Sequence, residues 1–289
     1  MNEQDICVRE SCETYDRLFH TPSETAARLY YYPQWAGLFA CRPDFYIRRH
    51  SFASILMLQT EQGQGRLLYK GEEYLLDREH IALIDCREEH VYFPVSQECW
   101  TFHFLHFSGV QSKEMYAHIY ETAGTCIFRN EERIRQAMER CLNLCRGEGE
   151  SREAQLSQCI GNLFYDILLQ VQQEEKDRIA AVCRYIARHY DQPLTTEQLS
   201  REACFSRCYF ATAFKKYTGT TLHEYVICRR LDRAKELLCR GNMTVEMIAE
   251  SVGFGETGTF IRAFKRKENI TPLQYRKMHF SIRSEIRQQ

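Results

Sequence analysis

A chain of 289 residues with 44% hydrophobic and 12% aromatic content is longer than one ordinary domain and has material for two packed cores. It has no run of about 18 uncharged apolar residues, and it begins with the acidic Met1-Asn2-Glu3-Gln4-Asp5, so neither a membrane span nor an export leader is expected and the cytoplasm is the expected compartment. The net charge of −1 hides a division: residues 1–176 carry 18 basic and 27 acidic side chains, net −9, and residues 177–289 carry 20 and 12, net +8. Only the C-terminal third therefore suits a polyanionic partner.

Between Asp44 and Gly109 short apolar runs alternate with turn signals, as in Ser54-Ile-Leu-Met-Leu58, Gly63-Gln-Gly65, Lys70-Gly71 and His80-Ile-Ala-Leu-Ile84. This is the pattern of antiparallel β structure. Trp100-Thr-Phe-His-Phe-Leu-His-Phe107 reads as a strand whose alternate members face opposite sides, and a sandwich or barrel with a lined interior follows. From Glu131 the period becomes helical. Ile134, Met138, Cys141, Leu142 and Cys145 form one stripe, and Leu156, Ile160, Leu163, Phe164, Ile167 and Leu168 form another beyond the break at Gly147-Glu-Gly149. These faces are suited either to covering the β domain or to meeting a second copy of the chain.

The polar stretch around Gln170–Asp177 reads as a boundary before a new helical pattern starting at Ile179. The expected organisation is thus a β domain over 1–130, a helical dimerisation segment over 131–172, a linker over 173–178 and an all-helical domain over 179–280. Fourteen cysteines are scattered along the chain without a Cys-x-x-Cys pair. Several, including Cys159, Cys183 and Cys228, fall on apolar helix faces, so they read as reduced packing residues rather than bridges or metal ligands.

The C-terminal segment repeats itself. Thr195-Thr-Glu-Gln-Leu-Ser-Arg-Glu-Ala-Cys-Phe205 aligns with Thr244-Val-Glu-Met-Ile-Ala-Glu-Ser-Val-Gly-Phe254, and past one inserted residue Phe210, Phe214-Lys215 and Tyr225 align with Phe260, Phe264-Lys265 and Tyr275. Each copy has the layout of a helix-turn-helix, with inward anchors Leu199 and Ala203 or Ile248 and Val252, and plugs Phe205 or Phe254. Gly253 supplies the second turn, and Ser206 and Thr257 are the expected caps of the second helices. Phenylalanines four apart bury one face of each second helix and leave the other free for a DNA groove.

On that geometry Arg207, Cys208, Ala211 and Thr212 in the first unit, and Gly258, Thr259, Ile261 and Arg262 in the second, are the expected base contacts. Arg262 is the foremost candidate, for guanine. Lys215, Lys216, Lys265, Arg266 and Lys267 are the expected phosphate contacts. The amphipathic stretch Tyr225–Leu238 reads as a rigid connector that would set the two recognition helices about 34 Å apart, on successive major grooves.

From about Ile179 to Lys277 the chain resembles the AraC/XylS family of bacterial transcription regulators. The resemblance is carried by Ile248-Ala249, Val252-Gly253-Phe254, Phe260, Arg262, Phe264-Lys265, Thr271-Pro272 and Tyr275-Arg276. Thr212 stands where the family often has Arg, and Asn269 where it usually has Gly. Tyr46 to Gly109 resembles the cupin-type effector domain of that family, through Gly63-Gln-Gly65, His90-Val-Tyr92 and Trp100 with His106-Phe107-Ser-Gly109.

The resemblance implies an α+β two-domain protein, with an N-terminal cupin-like β-barrel carrying appended helices and a C-terminal all-α domain with two helix-turn-helix units. It also implies a ligand-responsive regulator, more often activator than repressor. Its partners would be double-stranded DNA at a promoter or operator, a small-molecule effector such as a sugar, a second copy of the chain and, as a further candidate, RNA polymerase. Arg48, His50, Tyr92, Phe102, Phe104 and His106 are the expected effector-lining residues. No catalysis, cofactor or metal is expected. A metal-dependent cupin enzyme is the rival reading of the N-terminal half, but His103 and His106, three apart on one strand, would face opposite sides. An architectural DNA binder of low specificity is the rival for the C-terminal half.

Overall fold

The computed structural model describes residues 7–9, 12–95, 98–149, 151–241 and 243–286. The chain divides into two units, Met1–Gln173 and Glu174–Gln289.

In the first unit eleven described strands form two antiparallel sheets. One has the order β1-β4-β9-β6-β7, from β1 (Cys7–Arg9), β4 (Tyr46–Arg49), β6 (Gly65–Tyr69), β7 (Glu72–Leu76) and β9 (His90–Pro94). The other has the order β11-β8-β5-β10-β3-β2, from β2 (Cys12–Phe19), β3 (Tyr31–Cys41), β5 (Ile55–Gln62), β8 (His80–Asp85), β10 (Trp100–Gly109) and β11 (Ile127–Arg129). The pairing β10 to β3 is the longest register in the unit, from Trp100 opposite Cys41 to Gly109 opposite Tyr31. It shifts at His106/Phe107, which face Trp35 and Pro33. Gln34 is the extra residue, and a bulge beside a proline is where a strand tolerates the missing N–H.

Alternation along β10 organises the core. Trp100, Phe102, Phe104 and His106 are buried on one side, and Leu105 and Phe107 on the other. The first group meets Phe39, Phe45 and Tyr92 in a continuous aromatic core, with ring centroids 4.6 Å apart for Phe39 and Phe104 and 4.1 Å for Trp100 and Phe102. Trp100 Nε1 donates to Thr60 Oγ1 at 3.0 Å, so its one polar atom is satisfied inside. Gly65 lies against this indole. A Cβ there would sit 2.3 Å from Trp100 Cζ2, so only glycine fits the approach.

Helices cover the other side of the β10 sheet. They are α1 (Glu24–Leu29), α2 (Ser112–Ala123), α3 (Glu132–Arg146) and the first part of α4 (Arg152–His189). Ile134, Met138, Cys141 and Leu142 of α3 and Ile160, Leu163, Phe164 and Ile167 of α4 belong to the same core as the sheets, and Phe164 packs 5.2 Å from Phe107. The apolar stripes over 131–172 are therefore spent within one chain, which corrects the expectation of a segment whose apolar stripes were free for dimerisation. The opposite face of α4 exposes Tyr165 and Leu169.

A second correction concerns the expected linker over 173–178. These residues lie inside α4. The stretch has no glycine or proline, its Glu, Gln, Lys and Arg are good helix formers, and Arg178 pairs with Glu174 one turn away at 3.9 Å. Polarity there marks a solvated helix. At the other end β1 to β3 and α1 lie within the expected β domain of 1–130, ahead of Asp44, where clear alternation begins.

The second unit is helical, with the end of α4, α5 (Thr196–Glu202), α6 (Arg207–Thr218), α7 (Leu222–Arg240), α8 (Val245–Ser251), α9 (Thr257–Glu268) and α10 (Pro272–Ile286). It has two cores. Ile179, Val182, Ile186, Leu199, Phe210, Phe214 and Val226 form one. Leu231, Ala234, Leu238, Ile248, Val252, Phe260 and Phe264 form the other. Helix α7 thus serves both, and it starts with a capping box in which Thr221 and Glu224 satisfy each other's backbone N–H.

Candidate DNA interface and effector site

The two helix pairs α5–α6 and α8–α9 are built alike. Thr195 and Thr244 cap their first helices, accepting from the N–H of Gln198 at 3.1 Å and of Met247 at 3.2 Å. The turns differ by the inserted residue, residues 203–206 in one and 252–256 in the other. Both contain a left-handed residue, Cys204 at φ 54° and Gly253 at φ 84°. Gly253 is required twice over, because a Cβ would lie 2.4 Å from the carbonyl oxygen of Asp191. Ser206 Oγ accepts from the N–H of Tyr209 at 3.3 Å and caps α6. Thr257, by contrast, is the first residue of α9, and Glu256 holds the cap position without a side-chain bond. Past the insertion the equivalent of Ser206 is Glu256, which corrects the expected cap at Thr257.

Phe210 and Phe214 are fully buried with centroids 5.5 Å apart, and Phe260 and Phe264 likewise at 5.7 Å. Their burial turns the opposite faces of α6 and α9 outward. Arg207, Cys208, Ala211 and Thr212 are exposed on α6, as are Gly258, Thr259 and Arg262 on α9. Ile261 is half-buried against the second core, so it is a packing residue more than a base-reading one. Arg262 Nη2 donates to Thr259 Oγ1 at 3.1 Å, and its Nη1 passes 3.8 Å from where a side chain on Gly258 would begin. Helical side chains lean toward the N-terminus, and Gly258 leaves that path open.

Lys215 and Lys216 occupy the last turn of α6, and Lys265, Arg266 and Lys267 that of α9; all five are exposed. The helices end on left-handed Gly219 at φ 78° and Asn269 at φ 62°, whose N–H groups reach Lys215 O at 2.8 Å and Lys265 O at 2.9 Å. Lys235 of α7 pairs with Glu268 at 3.1 Å and with Asp232 at 2.9 Å, fastening the end of α9 to the connector.

Of the six expected effector residues, Tyr92, Phe102, Phe104 and His106 come together, and Arg48 and His50 do not join them. Phe102, Phe104 and Tyr92 are buried within the aromatic core, at 0%, 4% and 3% exposure. Arg48 points outward and pairs with Glu89 at 2.6 Å, and His50 bonds Ser51 at 2.9 Å on an exposed loop. A step of one residue along β4 changes the face, and Arg49 is the arginine on the side of the core.

His106 does face inward, hydrogen-bonded with Ser54 Oγ at 2.7 Å. Around it gather Trp35 at 5.7 Å and Phe52 at 5.3 Å, and the guanidinium carbons of Arg17 and Arg49 lie 5.4 and 5.7 Å from the Trp35 ring. Burial, then the positive charge of Arg49, lowers the pKa of both His106 and His90, with further lowering at His106 from His90 and Arg17. His90 Nδ1 donates to the carbonyl of Glu88 at 3.0 Å, which leaves its buried Nε2 as an acceptor without a hydrogen-bond partner among the described residues. His103 faces the other way, 4.0 Å from Glu61. Arg17, Trp35, Arg49 and Phe52 were not legible as a cluster; only a register for β2 to β4 would have brought them together.

With this geometry in place, comparison with known proteins defines the class. Residues 32–183 match the AraC-like ligand binding domain and residues 199–278 match a helix-turn-helix domain. The chain belongs to the AraC family of transcriptional regulators. Among its relatives, the regulatory protein PocR of Salmonella typhimurium is 34% identical over 93 residues, 32% of this chain and 31% of that protein. The lactose operon transcription activator of Staphylococcus xylosus is 24% identical over 243 residues, 79% of this chain and 85% of the relative. Among solved structures, the DNA-binding domain of AdpA in complex with a target DNA aligns with 25% identity and a TM-score of 0.36, over 37% of this chain and 96% of that one. The chain spans about a third to a half of the length of the first curated relatives it matches. No helix among the described residues is long and apolar enough to cross a membrane.

Proposed function

We propose that this chain is a cytoplasmic, sequence-specific DNA-binding transcription regulator whose β domain takes a small-molecule effector, with activation as its commoner output. The observation that carries the reading is the pairing of two exposed helix faces, on α6 and α9, each ending in a cluster of lysines or arginine and both mounted on α7. Residues early in such helices reach base edges, and those at the ends reach phosphates. Arg207, Cys208, Ala211, Thr212, Gly258, Thr259 and Arg262 are the proposed base-facing positions, and Lys215, Lys216, Lys265, Arg266 and Lys267 the proposed phosphate contacts.

The effector site we place at the group formed by Arg17, Trp35, Arg49, Phe52, His90 and His106. An aromatic face suits the apolar side of a sugar ring, and the His90 acceptor suits a hydroxyl donor. A relative named for a lactose operon is in keeping with a sugar. Pairing of two copies through the exposed face of α4, and contact with RNA polymerase, complete the proposal.

A genome-wide binding map of the full chain tests it: a few discrete promoter sites support it, and uniform coverage would leave only a low-specificity binder. Arg262→Ala should cost about 1–3 kcal/mol at those sites and relax one guanine position. Unchanged affinity and base preference would refute the assignment of Arg262.

A further inference from the structure

The two reading helices carry different chemistry at equivalent places. The repeat sets Cys208 against Gly258, Ala211 against Ile261 and Thr212 against Arg262. On α9 the exposed surface is a guanidinium held by Thr259 over a glycine. On α6 the exposed surface between Arg207 and Lys215 is Cys208, Ala211 and Thr212. The single hydroxyl in that trio is occupied, since Thr212 Oγ1 donates to the carbonyl oxygen of Cys208 one turn back at 3.3 Å. That bond takes the hydroxyl proton into the helix, so the groups this exposed surface has left to offer are the Thr212 methyl, the Ala211 methyl and the Cys208 thiol. This is an apolar patch on the side of the helix directed away from Phe210 and Phe214. In the major groove the only apolar group that distinguishes one base pair from another is the 5-methyl of thymine.

We propose that the first reading helix selects thymine through its methyl group, by contact with Cys208, Ala211 and Thr212, so that the half of the operator it covers is fixed by thymines. The inference rests on the assignment of α6 as a base-reading helix. Arg207, at the first position of α6, keeps its base-facing place beside this patch and is not part of the methyl contact.

The experiment begins with selection of a preferred duplex from random DNA by the full chain, followed by replacement of each thymine in it by uracil, which removes the methyl group and nothing else. Uracil at one or two positions in one half of the site should weaken binding about fourfold each, the worth of one buried methyl-sized group. Thr212→Val, which keeps the methyl and discards the hydroxyl, should bind the selected duplex as the native chain does. Thr212→Ser, which keeps the hydroxyl, should bind it more weakly and lose the penalty for uracil at one position. A defined site at which uracil and thymine bind equally everywhere would overturn the proposal while leaving the regulator reading intact. Loss of binding in Thr212→Val would overturn it too, because the hydroxyl would then be the reading group. Selection that returns no preferred sequence would sink both.

Discussion

Arg230 of α7 donates from Nε to the carbonyl oxygen of Tyr190 at 2.7 Å, and its Nη2 reaches the carbonyl of Gln192 at 2.9 Å. The same guanidinium lies 5.7 Å from the ring of Phe254, the plug of the second helix pair. One side chain therefore ties the segment after α4, the connector and the second turn. Arg230→Met keeps the stem and removes both donors, and it should cost about 1.5–3 kcal/mol in the denaturant unfolding of the second unit. Affinity for a site spanning both reading helices should fall with it. A shift within experimental error would mean that water replaces the guanidinium.

The same junction makes Gly253 sensitive. Gly253→Ala combines a left-handed backbone with a Cβ pressed on Asp191, and should destabilise by more than about 2 kcal/mol. Asn269, also left-handed but at an exposed helix end, should behave differently: Asn269→Gly is expected within about 0.5 kcal/mol of the native chain and Asn269→Ala about 1 kcal/mol below it. Thermal melts of the three variants measure the ranking, and equal effects would remove the role given to the Asp191 contact.

Salt dependence separates phosphate contacts from base contacts. Lys215→Ala and Lys265→Ala should each lower the slope of log Kobs against log salt by about 1 and weaken all sequences alike. Thr212 and Gly258 variants should leave that slope unchanged. An unaltered slope in both lysine variants would place those side chains off the DNA.

The first unit should lose stability on mild acidification. His20, His90, His103 and His106 are all held below the ordinary imidazole pKa of 6.5, each mainly by burial. Between the lowered folded values and 6.5 the unfolded chain binds protons that the folded chain refuses. Stability is therefore full above about 6.5 and declines as pH falls through it, levelling off once the folded values are passed. Melting followed from pH 7.5 to 5.0 should show this decline, and His106→Gln should flatten part of it. Melting independent of pH over that range would contradict the burial-driven shifts.

How much of this was legible from residues alone varied with the kind of signal. The helix-turn-helix units were readable because the chain states them twice: Phe210 and Phe214 recur as Phe260 and Phe264, and the insertion between the copies appears as the longer second turn. The β domain was readable only where alternation was clean. β3 escaped because Tyr31-Tyr-Pro-Gln-Trp35 has a proline and no alternation, and its place depends on a bulge opposite His106 that only pairing reveals. Arg48 is the expected lining residue and Arg49 the one on the core side for the same reason, since facing along a strand follows from register. The stretch 173–178 was misread because solvated polarity is common to loops and exposed helices, and the tie between Glu174 and Arg178 is a helical fact before it is a sequence one. Ile261 was placed on the open face by analogy with Ala211, whereas its larger side chain finds apolar company below.

Helix α7 lends Val226 to one core and Leu231, Ala234 and Leu238 to the other. A break anywhere in it would strip a wall from both halves, so the duplicated parts have become indivisible. With that frame fixed, the outward side chains of α6 and α9 can be exchanged without disturbing either core.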